Sequence, residues 1–188
     1  MSARRRHAAL ALLILWTLAM APWAAAEFSV AEVQIRDEGS RLVMDADIDY
    51  GFSKEALEAL DNGVPLILEV QILLRGSDDW IWTPSLVEQR QRYIIRYKPL
   101  SERYLVSPLP GDKGTSYVTR DAAIAALGEL NGLALIPRER LRETDGPFTL
   151  WVRASLDIDG LPLPLRPMAY LFPAWRLSSG WTQWPLQY

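Results

Sequence analysis

The chain has 188 residues, with 20 Lys and Arg against 23 Asp and Glu, a single histidine, no cysteine and a formal charge of −3. The histidine, His7, stands in the leading segment, so everything after it lacks both imidazole and thiol. That excludes Ser-His-Asp and Cys-His nucleophile pairs, thiolate redox centres, haem ligation by histidine, disulfides and nearly every ordinary zinc site.

Arg4, Arg5 and Arg6 precede an uncharged apolar run from Ala8 to Ala21, and Ala24, Ala25 and Ala26 supply small residues before Glu27. This is the layout of a Sec-type signal peptide over residues 1–26, and it predicts a periplasmic mature chain, residues 27–188, forming one domain. The uncharged stretch over residues 8–26 is 19 residues long, near the lower limit for a bilayer span. Retention as an inner-membrane anchor facing the periplasm is therefore the alternative, and Pro22 with the small residues after it favours cleavage. After cleavage no membrane span remains. Without the three leading arginines, 17 basic side chains face 23 acidic ones, about −6 in all, which speaks against a nucleic-acid partner.

Period-two alternation dominates the rest of the chain. A short strand is predicted over Phe28 to Ile35. From Leu42 to Tyr50, Leu42, Met44, Ala46, Ile48 and Tyr50 alternate with Asp45, Asp47 and Asp49, one buried face against one wet face. The three aspartates resemble the start of a calcium loop, but Tyr50 and Ala56 occupy the places that need Gly and Glu, so a solvated strand face accounts for them. Ser53 is a good helix N-cap with Phe52 placed for a hydrophobic staple, and Asp61-Asn62-Gly63 ends that helix.

Leu66 to Arg75 alternates again. Shorter strands are expected at Trp80 to Trp82, Val87 to Tyr97 and Tyr104 to Ser107. A second helix should start at Thr119 or Arg120, carry Ile124, Leu127 and Leu130 on one face, and stop at Asn131-Gly132. A further short turn can open at Pro137. Phe148 to Ile158 is the last long alternating strand. The segment from Leu161 to Pro167, with three prolines, should run as extended polyproline-like chain or as an edge.

About seven strands with one-sided burial must cover one another's apolar faces. The expected fold is mainly β: a two-sheet antiparallel β-sandwich of immunoglobulin-like architecture with two or three short helices.

Two groups of side chains are candidates for an interaction surface. Trp80 and Trp82, with Trp175, Trp181 and Trp184 near the end, are either core filling or an exposed aromatic platform. Arg90, Arg92 and Arg96 share the wet face of one strand, where they either pair with neighbouring acids or, together with Arg138, Arg140 and Arg142, bind anions through bidentate guanidinium contacts. No catalytic set, no metal site and no cofactor is expected. Carboxylate-only hydrolysis is the one enzyme class the composition leaves open, and no acid pair is marked for it.

The run from Ala59 to Leu66, the segments Tyr97-Lys98-Pro99-Leu100 and Tyr104-Leu105-Val106, Val152 to Asp157 followed by Leu161 to Arg166, and the closing Trp175-Arg176-Leu177-Ser178-Ser179-Gly180-Trp181 resemble the proteobacterial domain-of-unknown-function family 4390. The resemblance implies a secreted or envelope-associated bacterial protein, often encoded beside a membrane sensor kinase, and supplies no activity or site residues. The expected function is a non-enzymatic periplasmic protein-interaction module whose partner is another envelope protein, a sensor kinase among the candidates. The alternatives are a small-ligand carrier for glycan or lipid pieces, which needs an apolar pocket lined by tryptophans including Trp151, and a carboxylate hydrolase.

Overall fold

The structure is a computed structural model, and it describes residues 27–77, 84–111, 113–143 and 146–186. The expected signal segment and the expected strand at Trp80 to Trp82 lie outside the described residues. Among the described residues nine strands form two antiparallel sheets. The smaller has three: β1 (Phe28–Asp37), β2 (Arg41–Tyr50) and β7 (Glu129–Pro137), in the order β1-β2-β7. The larger has six: β3 (Leu66–Gly76), β4 (Val87–Lys98), β5 (Arg103–Leu109), β6 (Thr115–Tyr117), β8 (Phe148–Leu156) and β9 (Thr182–Pro185), in the order β6-β5-β4-β3-β8-β9.

The alternation read from the sequence sets which side of each strand is buried. In β3, Leu66, Leu68, Val70, Ile72 and Leu74 are fully buried. In β8, Phe148, Leu150, Val152, Ala154 and Leu156 face the same core. Opposite them, Leu42, Met44, Ala46, Ile48 and Tyr50 of β2 complete it, so one hydrophobic cluster fills the space between the two sheets. Gln89, on the inner side of β4, donates to the carbonyls of Ala134 and Leu135 on β7, both at 3.0 Å, and ties one sheet to the other.

Four short α-helices lie around this sandwich among the described residues. In α1 (Lys54–Asp61), Ser53 caps the start, its Oγ accepting from the Ala56 N–H at 3.1 Å. In α2 (Arg120–Gly128), Thr119 does the same for the Ala122 N–H at 3.2 Å. A third, α3 (Arg138–Arg142), opens directly after Pro137, as expected. The fourth, α4 (Arg166–Leu171), corrects the extended reading of residues 161–167. Leu163 to Leu165 form a turn, and Pro167 sits in the first turn of the helix, where its missing N–H costs nothing. Two 3-10 turns, Ile158–Gly160 and Pro173–Trp175, flank α4.

The second expected helix is shorter than its apolar pattern suggested. It ends at Gly128, and the chain passes straight into β7. Gly132 does not stop a helix but bulges a strand: Met44 pairs with Leu133 and Ala46 with Leu130, so β7 carries one more residue than β2 across that interval. The Gly132 N–H, freed from the ladder, donates to the Asp45 carboxylate at 2.7 Å. Among the described residues no helix is long and apolar enough to cross a membrane.

Candidate functional site

Whichever residues of the larger sheet are not in the core must point outward, and register decides which of them meet. Arg90 on β4 faces Gln71 on β3, which in turn faces Arg153 on β8. One row on, Arg92, Glu69 and Ser155 line up. Arg96 continues along the same side of β4, and Arg75 lies farther up β3. Among the described residues the outer face of the six-stranded sheet therefore gathers Arg75, Arg90, Arg92, Arg96 and Arg153, with Lys98 and Arg103 paired at its end, against the carboxylates Glu69, Glu88 and Asp157.

Several of these side chains are held in place. Arg92 bonds Asp157 at 2.6 Å, and Asp157 also accepts the Gly160 N–H that closes the 3-10 turn after β8. Arg153 donates to Gln71 Oε1 at 2.8 Å, while its guanidinium carbon lies 4.8 Å from the centre of the Trp181 ring. The ring is 38% exposed, so it forms an aromatic platform on the surface with a cation stacked against it. Arg75 donates to Ser85 Oγ at 2.9 Å, and Arg90 reaches Glu88 at 3.4 Å. Between them is a shallow cavity of about 140 Å³, lined by Gln71, Leu73, Arg75, Glu88, Arg90 and Trp181.

The sequence candidates divide accordingly. Arg90, Arg92 and Arg96 share one face, and Trp181 joins that face from the segment before β9. Trp175 and Trp184 are half-buried and pack against the hydrophobic cluster. Trp80 and Trp82 lie outside the described residues. The Arg138 group belongs elsewhere: α3 packs on β7 and β2, and Arg138 pairs with Asp37 of β1. Arg75 and Arg153 were not singled out by sequence reasoning, although both stand on the wet parity of their strands. Only the strand register could show that they meet Arg90 and Trp181.

The outer face of the three-stranded sheet has the opposite character. Glu32, Asp45, Asp47 and Glu129 line an open cleft of about 400 Å³ with Gln34 and Asn131, and no aromatic ring lines it. Asp45 is not merely solvated. The Arg36 guanidinium and the Gly132 N–H hold its carboxyl down at about 2. A carboxylate kept ionised in this way is the reverse of what the proton donor of a glycosidase requires. No group of metal-ligating residues occurs among the described residues.

Sheet edges offer less than faces. β6 has three residues and β9 four, and the carbonyls of β7 at Ala134 and Leu135 are taken by Gln89. The long edge strand β1 carries a register shift between Val30 and Glu32 and is lined with Glu32, Arg36 and Asp37. Bulges and charges on an edge oppose further strand pairing. Neither a curated relative nor a solved structure matches the chain. A family model does: DUF4390, a domain of unknown function, matches residues 25–185, and the chain belongs to that family.

Proposed function

We propose that this member of the DUF4390 family is a non-enzymatic, periplasmic interaction module that engages another envelope protein through the outer face of its six-stranded sheet. The carrying observation is the Trp181 ring, 38% exposed with Arg153 stacked on it, beside a cavity bordered by Arg75 and Arg90. Tryptophan and arginine are the residue types that most often dominate binding energy at protein interfaces. Here the arginines stand on β3, β4 and β8, and Trp181 reaches the same face from the segment before the edge strand β9. Among the described residues basic side chains outnumber acids on that face, in a chain of net charge −3, which selects a partner surface rich in carboxylates. The periplasmic part of a membrane sensor kinase is the candidate partner.

The test is site-directed photo-crosslinking in living cells, with the crosslinker at Arg90 on the proposed face and, separately, at Asp47 on the opposite sheet. A discrete envelope-protein adduct is expected from position 90 and none from position 47. Trp181→Ala should lower the yield at 90 by about tenfold, the loss typical of one interface hot spot. Adducts from 47 alone, or the same yield with and without Trp181, would refute the assignment.

A further inference from the structure

Beyond the charged sheet face, one pole of the sandwich carries a run of apolar side chains that the core does not use. Leu163 is 74% exposed, Met168 55%, Tyr170 50%, Leu171 75% and Phe172 51%. They cluster on α4 and the turns on either side of it. Scattered exposed apolar residues are ordinary, but a contiguous set on one short helix marks a surface that meets something apolar.

The position of this patch in the fold indicates what it meets. The chain enters the sandwich at Glu27, directly after the 19 uncharged residues 8–26. The Glu27 carbonyl accepts the Gly51 N–H at 3.1 Å, two residues before the Ser53 cap of α1. In turn, α1 packs on the 3-10 turn Pro173–Trp175, which follows Phe172. Entry point and patch are thus linked through α1 and the turn that follows Phe172. Retained as an anchor, the leading segment would hold this pole at the bilayer surface.

Composition agrees with position. From Gly160 to Tyr188 the chain has no Asp or Glu, and its charges are Arg166 and Arg176 alone. Both arginines are engaged internally, Arg166 with the Leu161 carbonyl at 2.7 Å and Arg176 with the Tyr170 carbonyl at 2.7 Å. Glu55 and Glu58 stand nearby on α1. Attraction to anionic lipid is thus weak here, and insertion of apolar side chains is what remains. We propose that the α4 pole is a membrane-docking surface, with Leu163, Met168, Leu171 and Phe172 entering the boundary between lipid headgroups and acyl chains.

The absence of cysteine makes the test direct. Single-cysteine variants Leu171→Cys and, at the far end of β2, Ser40→Cys are labelled with an environment-sensitive fluorophore in the chain as the cells produce it. Each is mixed or reconstituted with phosphatidylcholine vesicles, with and without phosphatidylglycerol, that contain a nitroxide-bearing lipid. The readout is quenching at each position, and because a retained anchor entering at Glu27 could itself bring position 171 near lipid, the aspartate variants below separate insertion of the patch from tethering. Quenching of about twofold or more is expected at position 171 with either vesicle, insensitive to salt, and none at position 40. Adding Leu163→Asp and Phe172→Asp should abolish it, and since both side chains are largely solvent-exposed the fold should be retained, as circular dichroism checks. No quenching at 171, equal quenching at 40 and 171, or quenching that survives both aspartates would overturn the proposal. So would a label at 171 that shifts only as the chain dimerises in the absence of lipid.

Discussion

Gly128, the last residue of α2, gives the sharpest test of how the helices lock onto the sandwich. A methyl group at this position would lie 2.2 Å from the carbonyl oxygen of Ile48 and 3.3 Å from its carbon. Ile48 belongs to β2, the central strand of its sheet, so its carbonyl cannot swing aside as a flexible side chain would. Relief requires helix and strand to separate by roughly 1 Å, and overpacking of this kind costs about 1–3 kcal/mol. The helical preference of Ala over Gly returns at most about 1 kcal/mol, so Gly128→Ala should destabilise by about 2 kcal/mol. Gly132 is the matched control, since a methyl added there would meet nothing within 4 Å, yet its φ is +67°. Gly132→Ala should cost about 1–2 kcal/mol through backbone strain alone, and Gly132→Asn should recover part of it, because Asn tolerates left-handed backbone. At position 128 the order reverses and Asn is worse than Ala. Urea unfolding followed by tryptophan fluorescence measures all four variants, and with a slope of about 2 kcal/mol/M the Gly128→Ala midpoint should fall by about 1 M. A midpoint within about 0.3 M of the parent, or Asn equal to Ala at both positions, would refute the steric argument.

Three other outcomes follow from the local chemistry. Asp45 has its carboxyl lowered from 3.8 to about 2, first by the Arg36 hydrogen bond and next by the Gly132 N–H. The stability it contributes is complete above the unfolded value and is lost as pH falls from about 4 towards 2. Asp45→Asn should flatten that part of the urea-midpoint curve against pH, and identical slopes would count against the link. Tyr104 is pushed up to about 12, by burial first and then by its hydroxyl donating to Asp61 at 2.7 Å. Its contribution holds below pH 10 and is lost as pH rises towards 12. Tyr104→Phe should remove one late-titrating phenol from the alkaline absorbance curve and cost about 1 kcal/mol. An unchanged difference titration would contradict this. Ser53→Ala removes the buried α1 cap for about 1 kcal/mol, with Ser53→Thr largely restoring it in thermal unfolding.

Alternation made the larger part of the fold legible, because a strand with one buried face writes that face into every second residue. β2, β3, β4 and β8 could be read this way. β7 could not. Ala122 to Leu127 followed by Leu130 looks like a helix that continues, yet it ends at Gly128, which lies too close to the Ile48 carbonyl to carry a side chain, a contact invisible in the local sequence. Pairing with β2 then draws residues 129–137 into a strand, where tertiary context overrides local preference. β9 and β6 are too short to show a period. Residues 161–167 misled in the other direction: three prolines exclude a central strand, but they do not exclude a helix that accepts Pro167 in its first turn.

The candidate surface was half legible for a related reason. Parity says which residues leave the core, and register says which of them meet. Arg90, Arg92 and Arg96 are neighbours along one strand and were visible. Trp181 was a candidate too, but Arg75 and Arg153 come to the same face only across strand pairs from distant parts of the chain. The same two rules place Glu32, Asp45, Asp47 and Glu129 together on the other sheet. From residue 27 onward 17 basic side chains stand against 23 acidic ones, about −6 in all, and they are divided between two unlike faces, one acidic and one rich in arginine, about the two sheets of a single core. Such a distribution orients an approaching partner before contact, because opposite charges on opposite faces make the wrong approach repulsive and not merely unproductive. Charge reversal of Arg90 to Glu should therefore slow association more than it speeds dissociation, whereas Trp181→Ala should act chiefly on dissociation. If both variants changed the same rate constant, the sheet face would not be working as a steering surface built around an aromatic anchor.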